Sequence, residues 1–121
     1  MVTICGLFGY STKLNKELNQ SEQDIRKKII SGLALAMQVR GTHSTGIGYV
    51  CENDSFIYKS DINAYEFIKQ EKYHKAFEKN PTTMIGHTRW ATQGKITAEN
   101  AHPFRKGKII GCHNGHVTNY I

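Results

Sequence analysis

The stretch Gly86-His87-Thr88-Arg89-Trp90-Ala91-Thr92-Gln93-Gly94, with Asn100-Ala101-His102-Pro103-Phe104 close behind it, decides how the rest of the chain is read. It grows out of Thr83 to Thr88, a run that reads as a strand, and then turns into a polar loop. Arg89 brings a planar guanidinium that can take a carboxylate bidentately. Thr92 adds a hydrogen-bonding hydroxyl, and Trp90 can form a wall. An ordinary turn needs no such set; a polar binding loop does.

Three further segments mix glycine with reactive or hydrogen-bonding residues. They are Cys5-Gly6-Leu7-Phe8-Gly9-Tyr10, Arg40-Gly41-Thr42-His43-Ser44-Thr45-Gly46-Ile47, and His113-Asn114-Gly115 with Asn119-Tyr120 after it. A thiol nucleophile needs a base, and an N-terminal amine, with an unperturbed pKa of about 7.7–8.0, can serve. Amide cleavage develops an oxyanion. The side-chain amide of Asn114 and the backbone N–H of Gly115 could hold it, at about 3 kcal/mol per donor.

Working outward, Val2 to Tyr10 reads as a buried strand in which Gly6 and Gly9 mark close backbone approach. Ser21 and Asp24 read as a capping box for a helix that carries Ile25, Ile29, Leu33 and Met37 at helical spacing, with Ile30 and Ala34 on the same side. Gly41 is its stop. Residues 45–51 and 55–59 read as a hairpin through Glu52-Asn53-Asp54. Asp61 reads as the cap of a second helix with Tyr65, Ile68 and Phe77 on one face, ended by Asn80-Pro81. Lys108 to His113 reads as a last strand. Strand, helix, hairpin, helix, strand, strand is an α+β order, with a sheet covered by helices.

The 121 residues set a single domain as the prior, and 39% hydrophobic with 21% charged residues argues against disorder. No apolar run reaches membrane-spanning length, and the start lacks a secretory n-region and h-region, so a cytoplasmic protein without a membrane partner is expected. Cys5, Cys51 and Cys112 are odd in number and widely spaced, unlike a disulfide framework. Cys51 and Cys112 lie in apolar strand patterns and read as core residues. The net charge of +6 is spread along the chain, which disfavours nucleic acid as a partner. Cys112, His113 and His116 lack the spacing of a zinc finger, so no metal site is expected.

The four segments, in this order, resemble those of the class II glutamine amidotransferases, which are N-terminal-nucleophile hydrolases. The likeness runs from Cys5 to Tyr120. Gly86 to Gly94 with Asn100 to Pro103 are most like the glutaminase domain of glucosamine-6-phosphate synthase. The resemblance implies a four-layer α-β-β-α sandwich, of which residues 1–121 would be the N-terminal half, with 1–4 as a propeptide. It implies Cys5 as nucleophile and Asn114 and Gly115 as the oxyanion hole. It places Arg89, Trp90, Thr92 and Gln93 in the segment that holds glutamine, and Arg40 and Gly41 in a loop that supports the nucleophile. It implies glutamine as substrate, no cofactor for this half-reaction, and a synthase domain or subunit that takes the ammonia.

Four features depart from the family pattern. Residues precede Cys5; His43 stands where aspartate is usual; Gln93 stands where histidine is usual; His116 stands where an apolar residue is common. The family's aspartate for the glutamine α-amino group would lie beyond Tyr120. These departures leave a second reading, a non-catalytic descendant of the fold that acts as an interaction or structural protein.

Overall fold

The computed structural model describes residues 5–12, 18–91 and 95–113. Of the sequence expectations, those on Val2–Ile4, Thr92, Gln93, Asn114, Gly115 and His116 lie outside the described residues. The elements are β1 (Gly6–Ser11), α1 (Gln20–Met37), a 3-10 turn (Gln38–Arg40), β2 (Ser44–Cys51), β3 (Asp54–Ser60), α2 (Ala64–Phe67), α3 (Glu71–Glu78), β4 (Thr83–Arg89), β5 (Phe104–Lys106) and β6 (Ile109–Gly111). The first four strands form an antiparallel sheet in the order β1-β4-β2-β3, and β5 and β6 pair as a separate hairpin.

Alternation along the strands sets the two faces of this sheet. Ile47 and Tyr49 of β2 and Met84 of β4 turn toward Ile30 of α1, Phe67 of α2, and Tyr73, Ala76 and Phe77 of α3, and together these make the core. Phe8, Tyr10, Phe56 and Tyr58 extend it from the outer strands. Helices on one side of an antiparallel sheet give the α+β organisation expected of the N-terminal half of an N-terminal-nucleophile hydrolase fold.

The helices differ from the sequence reading in detail. The cap of α1 lies two residues before Ser21: the Asn19 side chain accepts from the Glu22 N–H at 2.9 Å, and Glu22 accepts in return from the Asn19 N–H at 3.4 Å. Asparagine is as strong an N-cap as serine, and its glutamate at N3 completes the box. The stripe is also rotated. Ile30 and Ala34 are buried, whereas Ile25, Ile29 and Leu33 stand exposed. Arg26 takes the place on the core side one turn before Ile30, its guanidinium 4.7 Å above the Tyr10 ring.

The second helix is two short ones. Asn63, not Asp61, caps α2 by accepting from the Glu66 N–H at 2.9 Å. The break before α3 follows from what must be buried. Phe67 and Tyr73 are both fully buried, and six positions on one continuous helix would set them about 240° apart. Tyr65, expected inside, is exposed because Ala64 and Phe67 take the buried side of α2.

Residues 95–113 cross the opposite face of the sheet. Gly46, Lys59 and His87 lie side by side there, since Gly46 pairs with Lys59 on one flank and with His87 on the other. A Cβ on Gly46 would collide with the His102 carbonyl, so this position admits the crossing chain only as glycine. Lys59 Nζ donates to three carbonyls of that chain, Glu99 at 3.3 Å, Ala101 at 2.9 Å and Pro103 at 3.2 Å. The strand expected from Lys108 to His113 is shorter, and β5 is its partner, turned through Gly107 at φ +60°.

Candidate active site

The site forms where the start of β1 meets the end of β4. Cys5 precedes β1, and its thiol lies against the peptide of Trp90. Sγ accepts from the Trp90 N–H at 3.2 Å and the S–H donates to the Trp90 carbonyl at 3.6 Å, across 85 residues of sequence. One residue on, the Gly6 N–H donates to Thr88 Oγ1 at 3.2 Å. The Thr88 hydroxyl donates in turn to the Met37 carbonyl at 2.8 Å. Fully buried Thr88 thus couples the cysteine's strand to the last turn of α1.

The loop after α1 closes on the same point. Gly41 packs against the backbone of Thr88 and Arg89, and the His43 N–H donates to the Arg89 carbonyl at 3.0 Å. The His43 ring stacks on Trp90 at 4.5 Å between centroids. Its Nδ1 accepts from the Ala91 N–H at 2.9 Å, which fixes the neutral ring as the Nε2–H tautomer. Arg40 ends the 3-10 turn and is exposed.

Arg89 is 6% exposed. Its guanidinium donates to the Lys95 carbonyl at 2.7 Å, and Asn100 Nδ2 donates to the same carbonyl at 3.0 Å. The arginine therefore braces the loop that follows Trp90.

Beside Arg89, the rings of His87 and His102 stack at 4.1 Å and 14°. His87 Nε2 donates to the His113 carbonyl at 3.1 Å, and the His113 N–H donates to His102 Nδ1 at 3.1 Å. Burial, then the neighbouring His102, pushes the His87 pKa down to about 3. Burial, then the Arg89 charge, pushes His102 down to about 4. Both rings are neutral at physiological pH. The thiols of Cys51 and Cys112 are pushed up by burial, and both are half-buried rather than core residues.

Of the residues singled out in the sequence, the structure brings together Cys5, Gly41, Arg89 and Trp90. Arg40 flanks them. Thr92, Gln93, Asn114 and Gly115 lie outside the described residues. Sequence reasoning did not assign roles to Thr88, His43, His87, His102 and Lys59. The first four stood inside the quoted segments, where alternation along β4 could have separated inward Thr88 from His87 and Arg89. Lys59 carried no signal. Among the described residues no group of three or more His, Cys, Asp or Glu side chains could hold a metal ion, and no helix is long and apolar enough to cross a membrane.

No family model matches the chain. Curated proteins do match it along nearly its whole length. It is 34% identical over 122 residues to the glutamine–fructose-6-phosphate aminotransferase (isomerizing) of Aquifex aeolicus, which covers 98% of this chain and 18% of the relative. It is 38% identical over 120 residues to the enzyme of that name from Streptococcus agalactiae, again 98% and 18%. It is 31% identical over 134 residues to form 1 of that enzyme from Rattus norvegicus, 97% and 19%. The chain thus spans less than a fifth of the length of these relatives. With the four segments in order and Cys5, Arg89 and Trp90 joined at one point of the fold, the chain belongs to the class II glutamine amidotransferase domain family.

Proposed function

We propose that this chain is the glutamine-hydrolysing part of an amidotransferase. One observation carries the reading: the Cys5 thiol rests on the peptide that follows Arg89, within the loop proposed to hold glutamine. The relatives are named for glutamine and fructose 6-phosphate. For this chain we propose glutamine as donor and a synthase domain or subunit as acceptor of the ammonia, in the cytosol, with neither membrane nor nucleic acid as partner.

In the proposed reaction, residues 1–4 are first removed, which leaves Cys5 with a free α-amine. That amine takes the thiol proton. The thiolate attacks the glutamine δ-carbonyl carbon, and the C=O electron pair moves onto oxygen. Asn114 and Gly115 donate to this oxyanion. The C–N bond then breaks, the cysteine ammonium returns the proton to the leaving nitrogen, and ammonia departs from a glutamyl thioester. Water adds to the thioester, the C–S bond breaks, and glutamate and the thiol are released. Arg89 and Thr92 hold the α-carboxylate end, with Trp90 and Gln93 beside it, while Arg40 and Gly41 support the nucleophile. No cofactor takes part.

The second reading, a non-catalytic scaffold, is favoured by the guanidinium of Arg89, which is engaged with the protein's own Lys95 carbonyl. The experiment that separates the two is glutamate release by the full-length protein, prepared with and without Met1 to Ile4. The proposal expects activity only when Cys5 is the first residue. Activity in the form that retains Met1 to Ile4 would end the N-terminal-amine mechanism. Inactivity of a full-length form that starts at Cys5 would leave the scaffold reading.

A further inference from the structure

His113 is held from both sides. Its carbonyl accepts from His87 Nε2 and its N–H donates to His102 Nδ1, each at 3.1 Å. The two rings that do this are stacked on one another at 4.1 Å. His87 belongs to β4, an interior strand paired on both edges, and is 1% exposed. His102 is fixed by the crossing chain, whose carbonyls at 99, 101 and 103 are gathered by Lys59, and by the Phe104 ring at 4.6 Å. Both hydrogen bonds of the His113 main chain therefore end on groups tied to the sheet. The next residues in the sequence are Asn114 and Gly115.

We propose that His87 and His102 are positioning residues for the oxyanion segment, a peptide clamp that sets where Asn114 and Gly115 begin. The proposal rests on the oxyanion role given to Asn114 above. A peptide is planar, so fixing the His113 carbonyl fixes the direction in which the chain leaves that residue. Donors of an oxyanion hole act only when they are in place before charge develops, and a displacement of about 1 Å can cost on the order of 10²-fold in rate.

The clamp requires one tautomer of each ring. His87 must carry its proton on Nε2 to donate, and His102 must leave Nδ1 bare to accept. Among the described residues, His87 Nδ1 has no hydrogen-bond partner. A second proton on His102 would set a donor against the His113 N–H. Burial opposes such a proton, and so do the groups that face the pair: Arg89 and the titratable His113 act on both rings, and Lys59 on His102. The clamp is thereby kept in its working protonation state across the neutral range.

The test uses the full-length protein with Cys5 at its start, assayed for glutamate release. His102→Phe keeps a stacking ring and removes the acceptor; His102→Asn supplies an oxygen near the position of Nδ1. The expected result is a fall in kcat of roughly 10- to 100-fold for His102→Phe. KM for glutamine should change by less than about threefold, and His102→Asn should recover most of the kcat. Equal kcat for the two variants, or a loss confined to KM, overturns the clamp. Asn114→Ala in the same assay separates the layers. A full kcat there refutes the oxyanion role itself, whereas a low kcat with an unaffected His102→Phe refutes only the clamp. Should His102→Phe not fold, ring nitrogen-15 shifts of the unaltered protein decide. Nε2–H tautomers at both His87 and His102 support the clamp, and a proton on Nδ1 of His102 refutes it.

Discussion

Gly41 and Thr88 touch backbone to backbone. A methyl group on the Gly41 α-carbon would lie 2.6 Å from the Thr88 carbonyl oxygen and 2.5 Å from the Arg89 carbonyl carbon. Neither neighbour can yield, because Thr88 and Arg89 belong to the interior strand β4, between β1 and β2. Gly41→Ala should therefore move the loop away from the nucleophile. We expect a loss of stability of about 1–3 kcal/mol by urea denaturation, together with reduced glutamate release. A variant as stable and as active as the parent would show that the loop does not support Cys5.

The thiols should separate by reactivity. Cys51 and Cys112 are pushed up in pKa by burial, so less of each is thiolate near neutrality. Cys5 lies beside the Arg89–Trp90 peptide. A glutamine-like electrophile such as 6-diazo-5-oxo-norleucine should label Cys5 and spare the other two, as read by peptide mass spectrometry. Equal labelling of the three would remove the case for a specific site.

Much of this site was legible because its residue types are unusual for plain structure. A thiol beside glycines and an Arg-Trp pair in fixed order point to binding chemistry whatever the surrounding elements do. The helices were legible only in outline. Ser21 and Asn19 are equally good caps, and the choice falls to the position of Glu22, which the spacing alone does not rank. Ile25 and Ile29 share their apolar character with Ile30, so the buried stripe depends on which side the sheet lies. The role of Lys59 was not legible at all, and for Thr88 alternation along β4 could mark only its inward side, not its partners. Each acts on backbone groups far away in sequence, and a backbone carbonyl leaves no mark in the residue code.

Arg89 braces its own loop and is proposed to bind the glutamine α-carboxylate, and its conservative variant should reveal both. Lysine keeps the charge but loses the fork. Arg89→Lys should raise KM for glutamine more than it lowers kcat, since the α-carboxylate is remote from the bond that breaks. It should also cost about 1–3 kcal/mol of stability, because the buried contact with the Lys95 carbonyl is weakened. A purely kcat effect at unchanged stability would contradict both assignments.

The buried histidines predict acid lability. His87 and His102 titrate near 3 and 4 in the folded protein, against about 6.5 when unfolded. Between those values the unfolded chain binds more protons, so stability is full above about pH 6.5 and falls as the pH drops toward 4. Each ring contributes a slope of up to about 1.4 kcal/mol per pH unit. The urea midpoint should decline from pH 7 to pH 4.5, and His102→Asn should flatten the decline. A flat profile in the unaltered protein would show that these rings are not buried neutral.

Among the described residues, the strand that follows Cys5 has one neighbour in its sheet, and that neighbour lies far along the chain. β1 pairs with β4, and even their nearest ends, Ser11 and Thr83, are 72 positions apart. Closing a loop of that size costs about 4 kcal/mol of chain entropy, which local structure does not offset. β2 and β3 are joined by a tight turn and can form early; β1 cannot find its place until β4 has been made and docked. During synthesis at the ribosome, Cys5 therefore emerges well before the strand that will hold its neighbourhood in place, and β1 waits for β4. The peptide of Trp90 on which the Cys5 thiol rests is reached only at the end of β4, so the proposed reactivity and trimming cannot precede the completion of that strand.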